Sequence, residues 1–168
     1  NININISETH KDYPALFMAN ELLGGGAFLS SRIPMRLREN EGMSYGAGTY
    51  MNSNYKYDVT NWGLYAIFNP LYKGRLDSAM HQEIDKAIAA GFTKDELTKS
   101  VSAWIEGNKT SLGMNDFLAR QLRWYIRDGR DLTDFTNFES RVKALTTDAV
   151  NAAMKKYFDK SKLVVVYG

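Results

Sequence analysis

The chain has 168 residues, of which 44% are hydrophobic and 24% charged, the length and balance of one globular domain able to bury a core of its own. Its 21 Lys and Arg against 19 Asp and Glu leave a net charge of +2, so charge alone calls for no nucleic acid, anionic membrane or acidic substrate. Cysteine is absent, which excludes disulfides, thiolate metal sites and cysteine nucleophiles.

The opening NININIS alternates Ile with Asn at period two and predicts a half-buried strand over 2–6. It carries no initiator Met, and we read residues 1–168 as a single domain excised from a longer chain or processed from one. A helix follows in HKDYPALFMANELLGGG. Asp12 is its expected cap, Pro14 sits in its first turn, Leu16, Ala19 and Leu23 share a face, and the glycines stop it. A second helix is expected from about Ser30 to Asn40, with Ser30 and Ser31 as caps and Gly42 as a left-handed terminator.

From Met43 to Phe68 the aromatic and β-branched content predicts two long antiparallel strands broken at Asn52 to Asn54, with Pro70 ending them. Leu76, Met80, Ile84, Ala87 and Ile88 then repeat at helical spacing up to Gly91. Thr93 to Glu96 forms a capping box that opens a helix carrying Leu97, Val101, Trp104 and Ile105. Further helices are expected at 114–128, 133–144 and 147–158, and KLVVVY reads as a closing buried strand. The pattern is α+β, an antiparallel sheet with helices packed on one face. No apolar run approaches the roughly 20 residues that a membrane-spanning helix needs.

Candidate chemistry is sparse. The two histidines, His10 and His81, lie in different elements without a metal-binding spacing, and each reads as a solvated or locally bonded side chain. GAFLSSR is no nucleophile elbow, and the glycines at 24–26 precede no Lys-Ser or Lys-Thr of a phosphate loop. Arg120, Arg123 and Arg127, with Trp124 and Tyr125, suit either a nucleic-acid grip or a solvated helix face; the near-zero net charge favours the face. The pair Arg38 and Tyr45 in LRENEGMSY remains. Arg38 ends a helix and complements its dipole, Tyr45 starts a strand, and the Gly42 turn brings the two ends together. A guanidinium binds carboxylates and carbonyls through a fork of donors, and a phenol can donate to a developing oxyanion.

The run NELLGGGAFLSSRIPMRLRENEGMSYGAGTYMNS resembles the second, non-catalytic domain of the insulinase/pitrilysin-type zinc metallopeptidases, whose catalytic domains carry an inverted HxxEH motif. Asn20, Gly24, Gly25, Ser31, Arg32, Leu37, Arg38, Glu39, Gly42 and Tyr45 match its pattern, while Ile33-Pro34 and Met43 depart from it. TKDEL and the final LTTDAVNAAMKKYFDKSKLVVVYG are similar to the family more weakly. The resemblance implies a metallopeptidase-like fold and a clamshell of two homologous domains. The HxxEH-bearing partner domain holds zinc, so this chain needs no cofactor of its own. It implies that Arg38 and Tyr45 contact the peptide backbone and help stabilise the tetrahedral intermediate; we expect the extended peptide substrate to add in part to a sheet edge. It leaves open a proteolytically inactive core subunit with the same fold. Exported, periplasmic members make a bacterial exported setting the expected one.

Overall fold

The computed structural model describes residues 1–26 and 31–168. The Ile-Asn alternation at the start forms β1 (Ile2–Ile4), with Ile2 and Ile4 buried and Asn3 exposed. Helix α1 (Tyr13–Asn20) continues as a wider π-helical turn over Glu21–Gly25. A second helix, α2 (Arg32–Pro34), likewise widens over Met35–Asn40. The long strands β2 (Ser44–Ser53) and β3 (Thr60–Phe68) pair antiparallel with Thr49 opposite Leu64, and β1 adds to the other side of β3. The sheet order is β1-β3-β2, so β2 is an outer strand. Five helices follow: α3 (Lys73–Ala89), α4 (Lys94–Leu112), α5 (Asn115–Asp128), α6 (Thr133–Lys143) and α7 (Thr147–Tyr157).

One face of the sheet is buried beneath the helices. Trp62, wholly buried, packs edge-to-face on Phe158 with ring centroids 4.4 Å apart, and its indole N–H donates to the Asn20 side chain at 2.9 Å. Tyr65 and Ile67, of the opposite parity on β3, stay exposed on the other face. The predicted stripe of α3 is observed, with Leu76, Met80, Ile84 and Ala87 all buried. Phe17 of α1, Trp104 of α4 and Phe138 of α6 form a second aromatic cluster, with centroids 5.4–5.7 Å apart.

The capping box at Thr93 and Glu96 is present, and the Glu96 carboxylate also takes two hydrogen bonds from Arg32, at 2.7 and 3.0 Å. Burial alone would raise the pKa of Glu96. The Arg32 guanidinium and the Thr93 N–H and hydroxyl outweigh it and hold the carboxyl at about 2, against an ordinary 4.5. A carboxyl with a lowered native pKa stabilises the fold fully above the unfolded value and loses that stabilisation as pH falls towards the native one. Wild-type stability should therefore decline from about pH 4.5 to about pH 2 more steeply than that of Glu96→Gln. Urea unfolding across that range reads the difference, and equal slopes would refute the role of Glu96.

Four expectations need correction. Asp12 makes no side-chain cap; its carboxylate instead takes Lys156 and the Tyr157 hydroxyl at 2.8 Å each, tying α1 to α7. The hairpin break falls later than Asn52 to Asn54, because the Asn54 side chain accepts the N–H groups of Lys56 and Tyr57 and sets the turn. Ser31 stands at the N-cap of α2 without a side-chain capping bond, and Ser30 lies outside the described residues. KLVVVY is no buried strand. Val164, Val165 and Val166 are more than half or about half exposed, and Val164 exchanges one pair of hydrogen bonds with Asn1. That one pair of backbone bonds, to Asn1, does not extend into a ladder.

Candidate functional site

The segment 35–45 is built around Gly42. Its φ of +59° lies in the left-handed region, and a Cβ there would meet nothing within 4 Å, so backbone conformation rather than crowding demands glycine. The turn is closed by Gly42 N–H to the Arg38 carbonyl (3.2 Å) and Met43 N–H to the Leu37 carbonyl (2.8 Å). Leu37 and Met43 are buried and anchor both sides of it. Gly42→Ala should cost about 1–2 kcal/mol, the penalty of a side chain in the left-handed region. A urea unfolding midpoint unchanged from wild type would show that the turn relaxes freely.

Arg38 lies in the last turn before Gly42, its side chain 46% exposed and 3.6 Å from the Glu39 carboxylate. Tyr45 follows at the start of β2. Ser44 pairs with Phe68 and Gly46 with Ile67, so Tyr45 is the extra residue of a β-bulge. The bulge turns the ring out of the sheet, and Tyr45 is 85% exposed. Ser44 fixes it from below, its hydroxyl bonding the carbonyls of Gly46 and Ile67 at 2.9 Å each. The two predicted site residues are therefore placed at one end of the sheet, on either side of a single tight turn.

Two further residues organise this region, and sequence reasoning gave neither a role. Arg36 donates to Glu41 (2.7 Å), Glu83 (2.7 Å), Gln82 (2.6 Å) and the Ala79 carbonyl (3.2 Å), joining the helix that carries Arg38 to α3. Its hydrogen bond to Glu41 first, then burial and the bond to Glu83, set its pKa, which is raised; the same contact with Arg36 lowers that of Glu41. Asn20 joins α1 to the sheet, accepting from Trp62 through its side chain and from the Thr49 hydroxyl (3.1 Å) through its carbonyl. Just beyond it the chain passes so close to β2 that a Cβ on Gly24 would lie 2.9 Å from the Thr49 nitrogen. The glycines at 24–26 thus permit a close approach as well as a helix end. Glu21, partly buried and accepting from the Asn20 side chain, has its carboxyl pushed up to about 7 by desolvation.

The other candidates are spent locally. His10 accepts the Asp12 N–H, and His81 bonds the Asp77 carbonyl one turn back. Among the described residues no group of His, Cys, Asp or Glu is arranged to hold a metal ion such as zinc. Arg120 pairs with Asp116, and Arg127 pairs with Asp128 while lying over the Trp124 ring, so carboxylates offset two of the three arginines on this face of α5. No helix among the described residues is long and apolar enough to cross a membrane.

Residues 3–103, with both halves of this turn inside them, match the family model of the peptidase M16 inactive domain. The chain belongs to that family. As an M16 inactive domain it has close structural counterparts. It superposes on the M16 inactive domain of Pseudomonas fluorescens with a TM-score of 0.79 and 21% identity, over 96% of this chain and 38% of that one. A protease from Helicobacter pylori gives 0.80 and 20%, again over 96% and 38%. The periplasmic protease PqqL of Escherichia coli gives 0.65 and 18%, over 93% and 17%. At such identities these likenesses carry the fold, and this M16 domain spans under two-fifths of the first two relatives' own length. No curated protein matches the sequence.

Proposed function

We propose that this M16 inactive domain is the non-catalytic half of a zinc peptidase, attached to or assembled with an HxxEH-bearing partner, and that it presents Arg38 and Tyr45 to a bound peptide. The observation that carries this reading is the bulge at Tyr45, which leaves a phenol 85% exposed one tight turn after an arginine. A buried tyrosine would serve packing. An exposed one, a single tight turn after Arg38, holds its hydroxyl where a bound peptide can reach it.

Zinc held by the partner supplies an activated water. This chain's part is electrostatic. Arg38 offers its planar fork of donors to the backbone or carboxylate of the peptide and fixes its register. Tyr45 donates its O–H to the scissile carbonyl oxygen as negative charge develops there. Gly42 sets their spacing and the Arg36 network keeps the helix from shifting. Closure of the two domains excludes water and strengthens both contacts.

Arg38→Ala in the assembled peptidase should raise KM by about tenfold, the loss of one charge-assisted contact of about 1.5 kcal/mol, with a smaller change in kcat. Steady-state hydrolysis of a fluorogenic peptide measures both constants. An unchanged KM would remove Arg38 from substrate binding.

A further inference from the structure

Away from Arg38 and Tyr45, a cavity of about 760 Å³ opens between the far end of β2, α1, α4, α5 and α6. Its size falls within the range of about 300–1,000 Å³ typical of ligand sites. Its base is the Phe17, Trp104 and Phe138 cluster, with Trp124 and Tyr55 on its walls. Six charged side chains line it, and each is engaged. Arg130 pairs with Glu8 and lies 4.0 Å over the Tyr55 ring, Arg127 pairs with Asp128, Tyr55 donates to Asp134, and Arg141 donates to the His10 carbonyl. Three acids against three arginines leave no net charge to attract an ion. What remains unmet is hydrogen-bond donation. Of the three buried side-chain polar atoms without a partner among the described residues, two belong to this lining: Asn108 Nδ2 and Arg130 Nε. Orphaned donors in an aromatic cavity suit a ligand that brings a ring and a neutral acceptor together.

We infer that this cavity is an anchoring pocket for a bulky aromatic side chain of an extended peptide, with a neighbouring peptide carbonyl accepting from Asn108. The inference rests on the peptide-binding reading and deepens it. Its support is β2 itself, which carries Tyr45 at its start and Met51 to Ser53, cavity-lining residues, at its end. Seven residues of extended chain, about 23 Å at about 3.3 Å each, span the two. A peptide cut at the Tyr45 end is thereby held by a remote residue, and binding energy far from the scissile bond serves orientation at it.

The test is calorimetric titration of the chain with an end-blocked Ala/Ser peptide of about eight residues carrying one central Phe, long enough to cover that span. The expected result is binding that weakens about tenfold or more when Phe is replaced by Ala, as for the loss of an interface anchor. That preference should vanish in Trp124→Ala, whose ring is already 43% exposed and dispensable to the core, and should shrink in Asn108→Ala. It should persist in Arg38→Ala, which separates the pocket from the proposed site. Equal binding of the Phe and Ala peptides, or no binding of either, overturns the inference. A preference that survives both Trp124→Ala and Asn108→Ala overturns it too, even where Arg38→Ala weakens binding and the proposed function stands. N-acetylphenylalanine amide binding as tightly as the peptide would make the cavity a small-molecule site and overturn it as well.

Discussion

Tyr45→Phe should lower kcat of the assembled peptidase by about 10²–10³, the loss of about 2.7–4 kcal/mol for one oxyanion donor. Only the hydroxyl is removed. The ring, 85% exposed on the bulge, contributes little to the core, so the unfolding midpoint should stay at the wild-type value. KM should change little, because the oxyanion exists in the transition state and not in the bound substrate. That split separates Tyr45 from Arg38, whose loss acts on KM first. Stopped-flow or steady-state hydrolysis of a fluorogenic peptide resolves it. A variant with full kcat would strip Tyr45 of its role and leave the bulge without a functional account.

The second large effect is on stability. Arg36→Ala should cost about 3 kcal/mol, at the low end of the roughly 3–5 expected when a buried charge loses its partner. The charge is Glu83, whose side chain is 8% exposed. Lys86 remains 2.9 Å away and holds the cost to that lower end. Removing the charge as well, in Arg36→Ala with Glu83→Leu, should recover much of the loss, since no buried carboxylate is then left without its guanidinium. Urea unfolding gives both numbers. A loss below about 1 kcal/mol, the scale of a surface pair, would mean that the network is not what joins the Arg38 helix to α3.

The local parts of this fold were legible because local chemistry writes them. The Thr93–Glu96 box, the left-handed Gly42 and the apolar stripe of α3 each follow from a few neighbouring residues. KLVVVY misled because three valines state a preference for extended chain, while pairing depends on an edge supplied from the other end of the sequence. The bulge was equally hidden. SYGAGTY alternates with glycine, and a strand half made of glycine and small residues leaves its register to the partner strand. Arg38 and Tyr45 stood out through the Gly42 spacing and the motif around them. Arg36 did not, because its partners Gln82 and Glu83 lie about 47 residues away and no pattern links them. The aromatic cavity, assembled from residues between Glu8 and Arg141, has no sequence signature at all.

The central claim is that this M16 inactive domain completes an active site it does not itself contain. Peptide hydrolysis should be measured for this chain, for its zinc-loaded HxxEH partner, and for the two combined, with the combination repeated using Tyr45→Phe. Hydrolysis by the combination alone, lost in the variant, is the expected result. Full activity from the partner without this chain, or none from a folded and zinc-loaded combination, would contradict it.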